Sequence, residues 1–432
     1  MLEELRNAAR SVQGERDLRA LLVDCRRLLS ERGEANSVAI ARRILARFEA
    51  LPDAPRATFF ERLATDFSPD PIALLASARA YADEPNAPNL LRLTREAEPP
   101  RQELLRRINR SPGGTAGIVA MRRALLERLR RRPELEAVEA DFRHLLSSWF
   151  NPGFLQLVRV DWNSPAQLLE QLIRHEAVHQ IDGWDDLRRR LQPDRRCFAF
   201  VHPQLPGEPL IFVEVGLLPE MPAAVAPLID KASEPLAPKQ FKVAAFYSIS
   251  NCQPGLRGVS MGNFLIKRVA EELQRELPQL KTFCTLSPIP GFAAWLRAGA
   301  LGVDTDKARA ERLAHALAAL RTRFGADLAT PPAADALRRL DAAGTQALLR
   351  LGAAYLGLVS AHDDGDAVAR FHLDNGARLE RLNALGDLSA KGARQSFGLM
   401  VNYLYDLDKV EVHHEAFVKG RVAQSRAVAA LL

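Results

Sequence analysis

Ser287 is the first candidate for a catalytic residue. Its hydroxyl lies in a segment whose prolines restrict the backbone. It ends an apolar, β-rich run and begins Ser-Pro-Ile-Pro-Gly, and the following proline favours an extended backbone at residue 287. A hydroxyl at the carboxyl end of a strand lies where open α/β sheets bind their ligands. An ordinary residue of a Ser-Pro turn is the alternative.

His372 is the second candidate, within Phe-His-Leu-Asp-Asn-Gly at residues 371–376. Histidine exchanges its proton readily near neutral pH, which suits a general acid or base. The alternative is a structural histidine whose hydrogen bonds are satisfied and which has no chemical role.

A glycine-containing loop between an apolar run and an amphipathic helix pattern could bind an anion. Gly258 and Gly262 leave the backbone open to a pyrophosphate, and a helix N-terminus offers unpaired N–H groups and partial positive charge. Spacing alone would also fit an ordinary turn, but the flanking strand and helix favour a phosphate site. The predicted binding residues are Arg257, Gly258, Val259, Ser260, Met261, Gly262 and Asn263.

The segment 175–179, His-Glu-Ala-Val-His, matches the H-E-x-x-H pattern of helical zinc sites. Zinc would need a third protein ligand, and the residues that follow do not continue the pattern with a histidine, although a downstream carboxylate could serve. We favour a structural interpretation, in which a partly buried helix is ended by Gly183 and leads into a hairpin. No metal is predicted.

Helices precede these candidate residues. In the first 150 residues, apolar side chains recur at three- and four-residue intervals, for example from Leu18 to Leu29 and from Ile118 to Leu129. Proline and glycine clusters separate the repeats. This pattern predicts an all-helical bundle over residues 1–153 that serves packing or oligomerisation.

A mixed α/β unit follows the Asn-Pro-Gly at residues 151–153. Runs at 154–162, 196–202, 210–217, 243–250 and 282–286 predict strands, and the second and third of these predict a hairpin with a long tip. Residues 304–358 are predicted to be helical, and so is the tail from residue 367 to residue 432. The fold class is therefore α+β, with a second domain over residues 154–432.

Composition narrows the function classes. The chain has 432 residues, a net charge of +6 and no basic block interleaved with aromatic residues, which favours a small anionic ligand over nucleic acid. Its four cysteines are far apart in sequence and indicate reduced thiols. No apolar run has membrane-spanning length, and the N-terminus lacks an apolar signal core. We therefore expect a cytoplasmic protein.

Five segments together resemble the malonyl-CoA decarboxylase family: FYSIS (246–250), GLRGVSMGNFLIKRV (255–269), LSPIPGF (286–292), FHLDNGA (371–377) and GLMVNYLY (398–405). The resemblance covers residues 158–410. It implies a helical N-terminal domain followed by a catalytic domain like that of GNAT acetyltransferases. It also implies a CoA thioester with its pyrophosphate at Arg257–Asn263, no metal or organic cofactor, and a homodimer or homotetramer. Ser287 and His372 match the family's catalytic pair, and some members have an acid where Ser260 stands.

The resemblance implies decarboxylation of malonyl-CoA to acetyl-CoA and CO2, in fatty acid and malonate metabolism. Loss of CO2 leaves a thioester enolate that must be stabilised and then protonated. We expect protonated His372 to deliver the proton, and Ser287 to orient the carboxylate or relay the proton. Two alternatives remain: a GNAT-type N-acetyltransferase that uses acetyl-CoA, and a helical scaffold whose α/β part is inactive.

Overall fold

A computed structural model describes residues 2–259, 261, 265–300, 302, 305–362 and 365–432, with side chains from residue 12 onward. Helices dominate these ranges, and the strands lie after residue 155. The helices are α1 (Leu2–Ser30), α2 (Glu34–Ala50), α3 (Asp53–Asp66), α4 (Pro71–Asp83), α5 (Ala87–Ala97), α6 (Pro100–Asn109), α7 (Gly114–Leu129), α8 (Glu136–Trp149), α9 (Ala166–His175), α10 (Gly183–Arg190), α11 (Ala226–Ile229), α12 (Leu265–Glu276), α13 (Phe292–Arg297), α14 (Lys307–Phe324), α15 (Ala334–Arg338), α16 (Ala342–Ala354), α17 (Ala367–Asp374), α18 (Ala390–Ser396), α19 (Val410–Val418) and α20 (Arg426–Ala429). The strands are β1 (Gln156–Val160), β2 (Arg195–Val201), β3 (Pro209–Leu218), β4 (Val243–Asn251), β5 (Thr282–Thr285), β6 (Ser287–Pro288), β7 (Arg378–Asn383) and β8 (Met400–Tyr405).

The chain divides into two compact units. One comprises Met1–Gln156, Val201–Glu208 and Gln253–Met261, and the other comprises Leu157–Phe200, Pro209–Cys252 and Gly262–Leu432. The first unit contains helices α1 to α8, and the second contains most of the sheet and the remaining helices.

The helical unit follows its apolar spacing. Leu21, Cys25 and Leu28 form the fully buried face of α1 because they recur every three or four residues. Phe48 and Phe59 pack edge to face, with ring centroids 5.4 Å apart. Proline residues stand at the first turns of α4, α5 and α6, where a missing N–H costs nothing. The predicted helical N-terminal region is confirmed.

The second unit is built on a mixed sheet in the order β1-β2-β3-β4-β5-β8-β6, with β7 also paired to β8. The β3–β4 pair is antiparallel and the β4–β5 pair is parallel. Strand β8 runs antiparallel to β5, β6 and β7. β2 and β3 are neighbours, and the Leu217 N–H donates to Asp194 O at the base of the pair, as expected for the predicted hairpin. A helical region followed by a mixed α/β domain with helical insertions is therefore confirmed.

Two local predictions were wrong. The tail after residue 367 is not helical throughout, because it supplies the strands β7 and β8. β8 is buried along nearly its whole length, and the resulting apolar run lacks the alternation that separates a strand from a helix. Gly183 does not end the helix that begins at Ala166; that helix ends at His175, and Gly183 begins α10.

The sheet has a gap beside β4. It arises from an extra residue in β4 and from the divergence of β4 from β5. Glu214 pairs with Ser248 and Val215 with Phe246, so Tyr247 is a β-bulge. β4 pairs with β5 only from Val243 to Phe246, and the Leu286 N–H donates to Phe246 O just beyond. After that point β6 pairs with β8, and among the described strands β4 continues beside β3 alone.

The four cysteines are buried and unbridged. Within the described ranges, no helix combines the length and the apolar character needed to cross a bilayer.

Candidate active site

Ser287 and His372 lie together in the second unit. Ser287 Oγ is 3.0 Å from His372 Nε2, and both side chains are buried. Ser287 opens β6 directly after β5, and its backbone is held by pairing with Val401 of β8. His372 projects from the short helix α17. The fold thus brings together two residues that are far apart in the sequence.

Three aromatic side chains enclose the His372 ring. Tyr405 Oη lies 2.9 Å from Nδ1, so both ring nitrogens have hydroxyl partners. Tyr403 stacks on the ring with centroids 4.7 Å apart, and Phe371 meets it edge to face at 5.2 Å. The imidazole therefore has a fixed plane and a fixed direction toward Ser287.

The hydrogen bonds have a consistent direction. The Ser287 hydroxyl donates to Thr285 Oγ1 over 2.9 Å, and Thr285 Oγ1 also accepts the Tyr403 N–H. Since the Ser287 proton is directed to Thr285, the Nε2–H of His372 donates to Ser287 Oγ. Nδ1 then accepts the Tyr405 hydroxyl proton.

Burial sets the charge of the imidazole. It lowers the pKa of His372 to about 3, because burial removes the water that would stabilise the charged form. The ring is therefore neutral near pH 7 in the free protein. A neutral ring differs from the protonated ring expected from the sequence, because the sequence does not reveal that His372 is buried among aromatic side chains.

A cavity of about 280 Å³ opens beside the pair, in the gap where β4 and β5 diverge. Phe246 to Ile249 and Asn251 contribute to one side, Leu286 to Pro288 to another, and α17 adds Ala367 and Val368. Its volume lies just below the usual range for small-molecule sites, so it suits an acyl group rather than a whole nucleotide thioester. Most of its wall is apolar, and its polar side chains include those of Ser248, Asn251, Ser287 and His372.

The β4 bulge directs one backbone donor toward this cavity. The Cys252 N–H donates to Leu210 O of β3. Because N–H groups alternate in direction along a strand, the Ile249 N–H points away from β3 and into the gap. An N–H in this position can stabilise negative charge on an acyl oxygen.

Replacing Tyr405 with phenylalanine should lower kcat about tenfold, as expected for losing one net hydrogen bond, with KM nearly unchanged. The ring packing remains, but Nδ1 loses its donor. Tyr403→Phe is the matched control, because that hydroxyl has no hydrogen-bond partner among the described residues. Steady-state kinetics of both variants test this prediction. Equal kcat values for the two variants would show that the Tyr405 hydroxyl has no part in turnover.

The H-E-x-x-H segment is not a zinc helix. α9 ends at His175, so the two histidines are not one helical turn apart on a common face. The carboxylate of Glu176 accepts the N–H groups of Val178 and His179, each at 2.8 Å, and the hydroxyls of Ser248 and Ser250. Glu176 thereby ties a cavity wall residue, Val178, to β4. No group of three metal-ligand side chains occurs in the described residues.

The predicted phosphate loop lies partly within the described residues of the first unit. Gly258 has φ +75°, which favours glycine, and Arg257 is exposed while Val259 and Met261 are buried. Ser260, Gly262 and Asn263 lie outside the described residues. Arg122 of α7 donates to the backbone oxygens of Gly255 and Arg257 at 2.7 and 2.8 Å and pairs with Glu139, which fixes the loop entry.

Sequence reasoning missed Thr285, Tyr405 and Arg122. Tyr405 ends a run of buried residues, Met400–Tyr405, whose apolar and aromatic character could have indicated a strand. Arg122 stands in a helical pattern with many other arginines, and nothing in the sequence separates it from an exposed residue.

Known protein families and solved structures match nearly the whole chain. A family model for the malonyl-CoA decarboxylase C-terminal domain matches residues 153–432, and one for the N-terminal domain matches residues 67–150. The crystal structure of malonyl-CoA decarboxylase from Rhodopseudomonas palustris is 48% identical, with a TM-score of 0.86, over 96% of this chain and 99% of that one. The Agrobacterium vitis structure is 47% identical, with a TM-score of 0.82, over 95% and 99%.

Two curated relatives, the mitochondrial malonyl-CoA decarboxylases of Anser anser anser and Rattus norvegicus, are each 37% identical. The matches cover 73% and 71% of this chain but 66% and 65% of the relatives, so they span just under two thirds of those proteins. The C-terminal family model alone covers more than half of the chain, and the Rhodopseudomonas palustris structure is matched almost end to end. The chain therefore belongs to the malonyl-CoA decarboxylase family.

Proposed function

We propose that this chain catalyses decarboxylation of malonyl-CoA to acetyl-CoA and CO2, with Ser287 and His372 as the catalytic pair. The observation that carries the proposal is the 3.0 Å contact between Ser287 Oγ and His372 Nε2 beside an apolar cavity of acyl size. Membership of the family supports the same reaction.

Decarboxylation requires that the negative charge transferred from the carboxylate to the thioester be stabilised. As the bond from the α-carbon to the carboxyl group breaks, its electron pair moves onto the thioester as an enolate. The Ile249 N–H is our candidate donor to the enolate oxygen, in a site with little water. The apolar wall would weaken the hydration of the carboxylate and favour release of neutral CO2.

Protonation then follows from the neutral pair. The α-carbanion of a thioester is a stronger base than the anion of imidazole, so an uncharged donor suffices. Ser287 gives its proton to the α-carbon, and the Nε2–H of His372 replaces it along the 3.0 Å contact. The Tyr405 hydroxyl bonded to Nδ1 stabilises the ring while it is one proton short. Solvent restores the proton as acetyl-CoA leaves.

The pH profile should distinguish a neutral donor from a charged one. Because the pKa of His372 is lowered to about 3, the ring is already neutral above about pH 5. We therefore expect kcat/KM to stay nearly constant from about pH 6 to about 8.5 and to fall only toward acid. If the imidazolium of the free enzyme were required, kcat/KM would fall tenfold per pH unit across that range.

Carboxyl-labelled malonyl-CoA tests the proposed reaction. Labelled CO2 released without any added acceptor, with acetyl-CoA formed in equal amount, supports decarboxylation. Acetyl transfer from acetyl-CoA to an amine, with no CO2 from malonyl-CoA, would favour the N-acetyltransferase instead. Absence of both activities in folded protein would favour the scaffold alternative.

The CoA portion is assigned by prediction. We propose that Arg257, Gly258, Val259, Ser260, Met261, Gly262 and Asn263 bind the pyrophosphate, supported by the positive φ at Gly258 and the anchoring of the loop by Arg122. We further propose that residues 154–432 carry the chemistry and that residues 1–153 serve packing and oligomerisation.

We also propose a homodimer or homotetramer, a cytoplasmic location, a role in fatty acid or malonate metabolism, and no nucleic-acid or membrane partner. The buried, unbridged cysteines are consistent with a reducing compartment.

A further inference from the structure

Asp366 has a buried carboxylate that lies between the two segments carrying Ser287 and His372. The residue is only 2% exposed. Oδ1 accepts the N–H groups of Val368 and Ala369 at 3.0 and 3.1 Å, and Oδ2 accepts the Gly291 N–H at 2.8 Å. Three backbone N–H groups therefore hold this carboxylate in place.

Both halves of the catalytic pair are close to these bonds. Asp366 is the N-cap of α17, and His372 is on the same eight-residue helix. Gly291 is four residues after Ser287, across a segment that Pro288 and Pro290 stiffen. The one carboxylate therefore holds the backbone of the serine segment and the backbone of the histidine helix at a fixed separation.

A helix cap alone does not require a buried carboxylate. Serine, threonine and asparagine cap helices equally well with one acceptor oxygen. Burial raises the pKa of Asp366, so keeping the charge here is costly, and the N–H bonds offset part of that cost. Only a carboxylate offers a second acceptor oxygen for a donor on the opposite side.

Gly291 is a residue type that leaves space for this arrangement. A Cβ there would lie 2.2 Å from Tyr355 Oη and 3.2 Å from Asp366 Oδ2. The backbone conformation of Gly291, with φ −85° and ψ −15°, is one that any residue can adopt, so glycine is needed for space rather than for its dihedral angles. A side chain at this position would clash with Tyr355 and would also crowd the Asp366 carboxylate.

We propose that Asp366 is a positioning residue for decarboxylation, because its two oxygens set the separation between Ser287 Oγ and His372 Nε2. This inference rests on the proposed role of that pair. Asp366 itself need not touch the substrate; it acts through the two backbones that it joins.

Asp366→Asn is the direct test. Asparagine keeps one oxygen to cap α17, but it turns an NH2 group toward the Gly291 N–H. A displacement of about 1 Å between reacting groups can cost about 10²-fold, so we expect kcat to fall about 10²-fold with KM changed by less than about threefold. Circular dichroism and thermal unfolding establish that the variant is folded.

Asp70→Asn is the matched control. Asp70 caps α4 with the same geometry, since its Oδ1 accepts the N–H groups of Ile72 and Ala73 at 2.8 and 3.3 Å. This variant should keep full activity. If Asp366→Asn does not fold, Gly291→Ala disturbs the same tether from the other side and should give the same selective loss of kcat.

A double-mutant cycle separates positioning from general destabilisation. In a Ser287→Ala background the alignment of the pair no longer matters, so Asp366→Asn should cost less than about threefold there. A full 10²-fold additional loss in that background, or a normal kcat for folded Asp366→Asn, would overturn the inference. If Ser287→Ala and His372→Asn were themselves fully active, the assignment of Ser287 and His372 as the catalytic pair would fail instead.

Discussion

Replacing His372 with asparagine is expected to lower kcat by about 10²–10⁴-fold, the usual contribution of a positioned proton donor. The amide cannot reproduce the line from Tyr405 Oη through the ring to Ser287 Oγ, whose two contacts are 2.9 and 3.0 Å. Acetyl-CoA should still bind, because the residues that we assign to the CoA portion are unchanged. Stopped assays of CO2 release and a direct binding measurement with acetyl-CoA test the two halves of this prediction.

His413→Asn is a suitable control for this variant. His413 lies on α19, is partly buried and contacts Gly376 O at 3.3 Å, so it shares the residue type but not the cavity. It should retain nearly normal turnover. A normal rate for His372→Asn would eliminate the assignment of His372, whatever the control shows.

Replacing Ser287 with alanine is expected to lower kcat about 10²-fold, because the proton donor nearest the cavity is lost while the ring stays in place. Binding should change little, because the mostly apolar wall of the cavity is left intact by this substitution. Ser396→Ala is the control: its hydroxyl is also buried, but it donates to the backbone oxygens of Gly392 and Leu399.

The pattern of Ser287→Ala kinetics assigns its role. A rise in KM with unchanged kcat would make Ser287 a binding residue and not a proton donor. If the pair acts as one unit, Ser287→Ala combined with His372→Asn should be about as slow as His372→Asn alone. Independent roles would instead multiply the two losses.

The sequence predicted Ser287 and His372 as candidates because local composition restricts each of them, but it could not predict that they meet. Their contact depends on β8, which pairs with β6 and also carries Tyr405. The sequence of β8 does not distinguish a strand from a helix, because a strand buried on both faces has no alternation. Tyr405 was therefore missed together with its strand.

The H-E-x-x-H segment failed as a predictor for a different reason. A five-residue pattern predicts a common helical face only if the helix continues, and here it ends at His175. What replaces the helix is tertiary: the Glu176 carboxylate bonds to Ser248 and Ser250, which are distant in the chain. Short-range propensity carries no information about such partners.

The β-bulge at Tyr247 makes part of the site depend on the number of residues in a strand rather than on their identity. Without that one extra residue, the alternation along β4 would direct the Ile249 N–H toward β3 and away from the cavity. Scanning side chains by substitution would leave such a donor untouched and undetected. Inserting or deleting one residue before Ile249 would direct a neighbouring N–H into the cavity in place of the Ile249 N–H. Inserting or deleting two residues would preserve the direction of the Ile249 N–H.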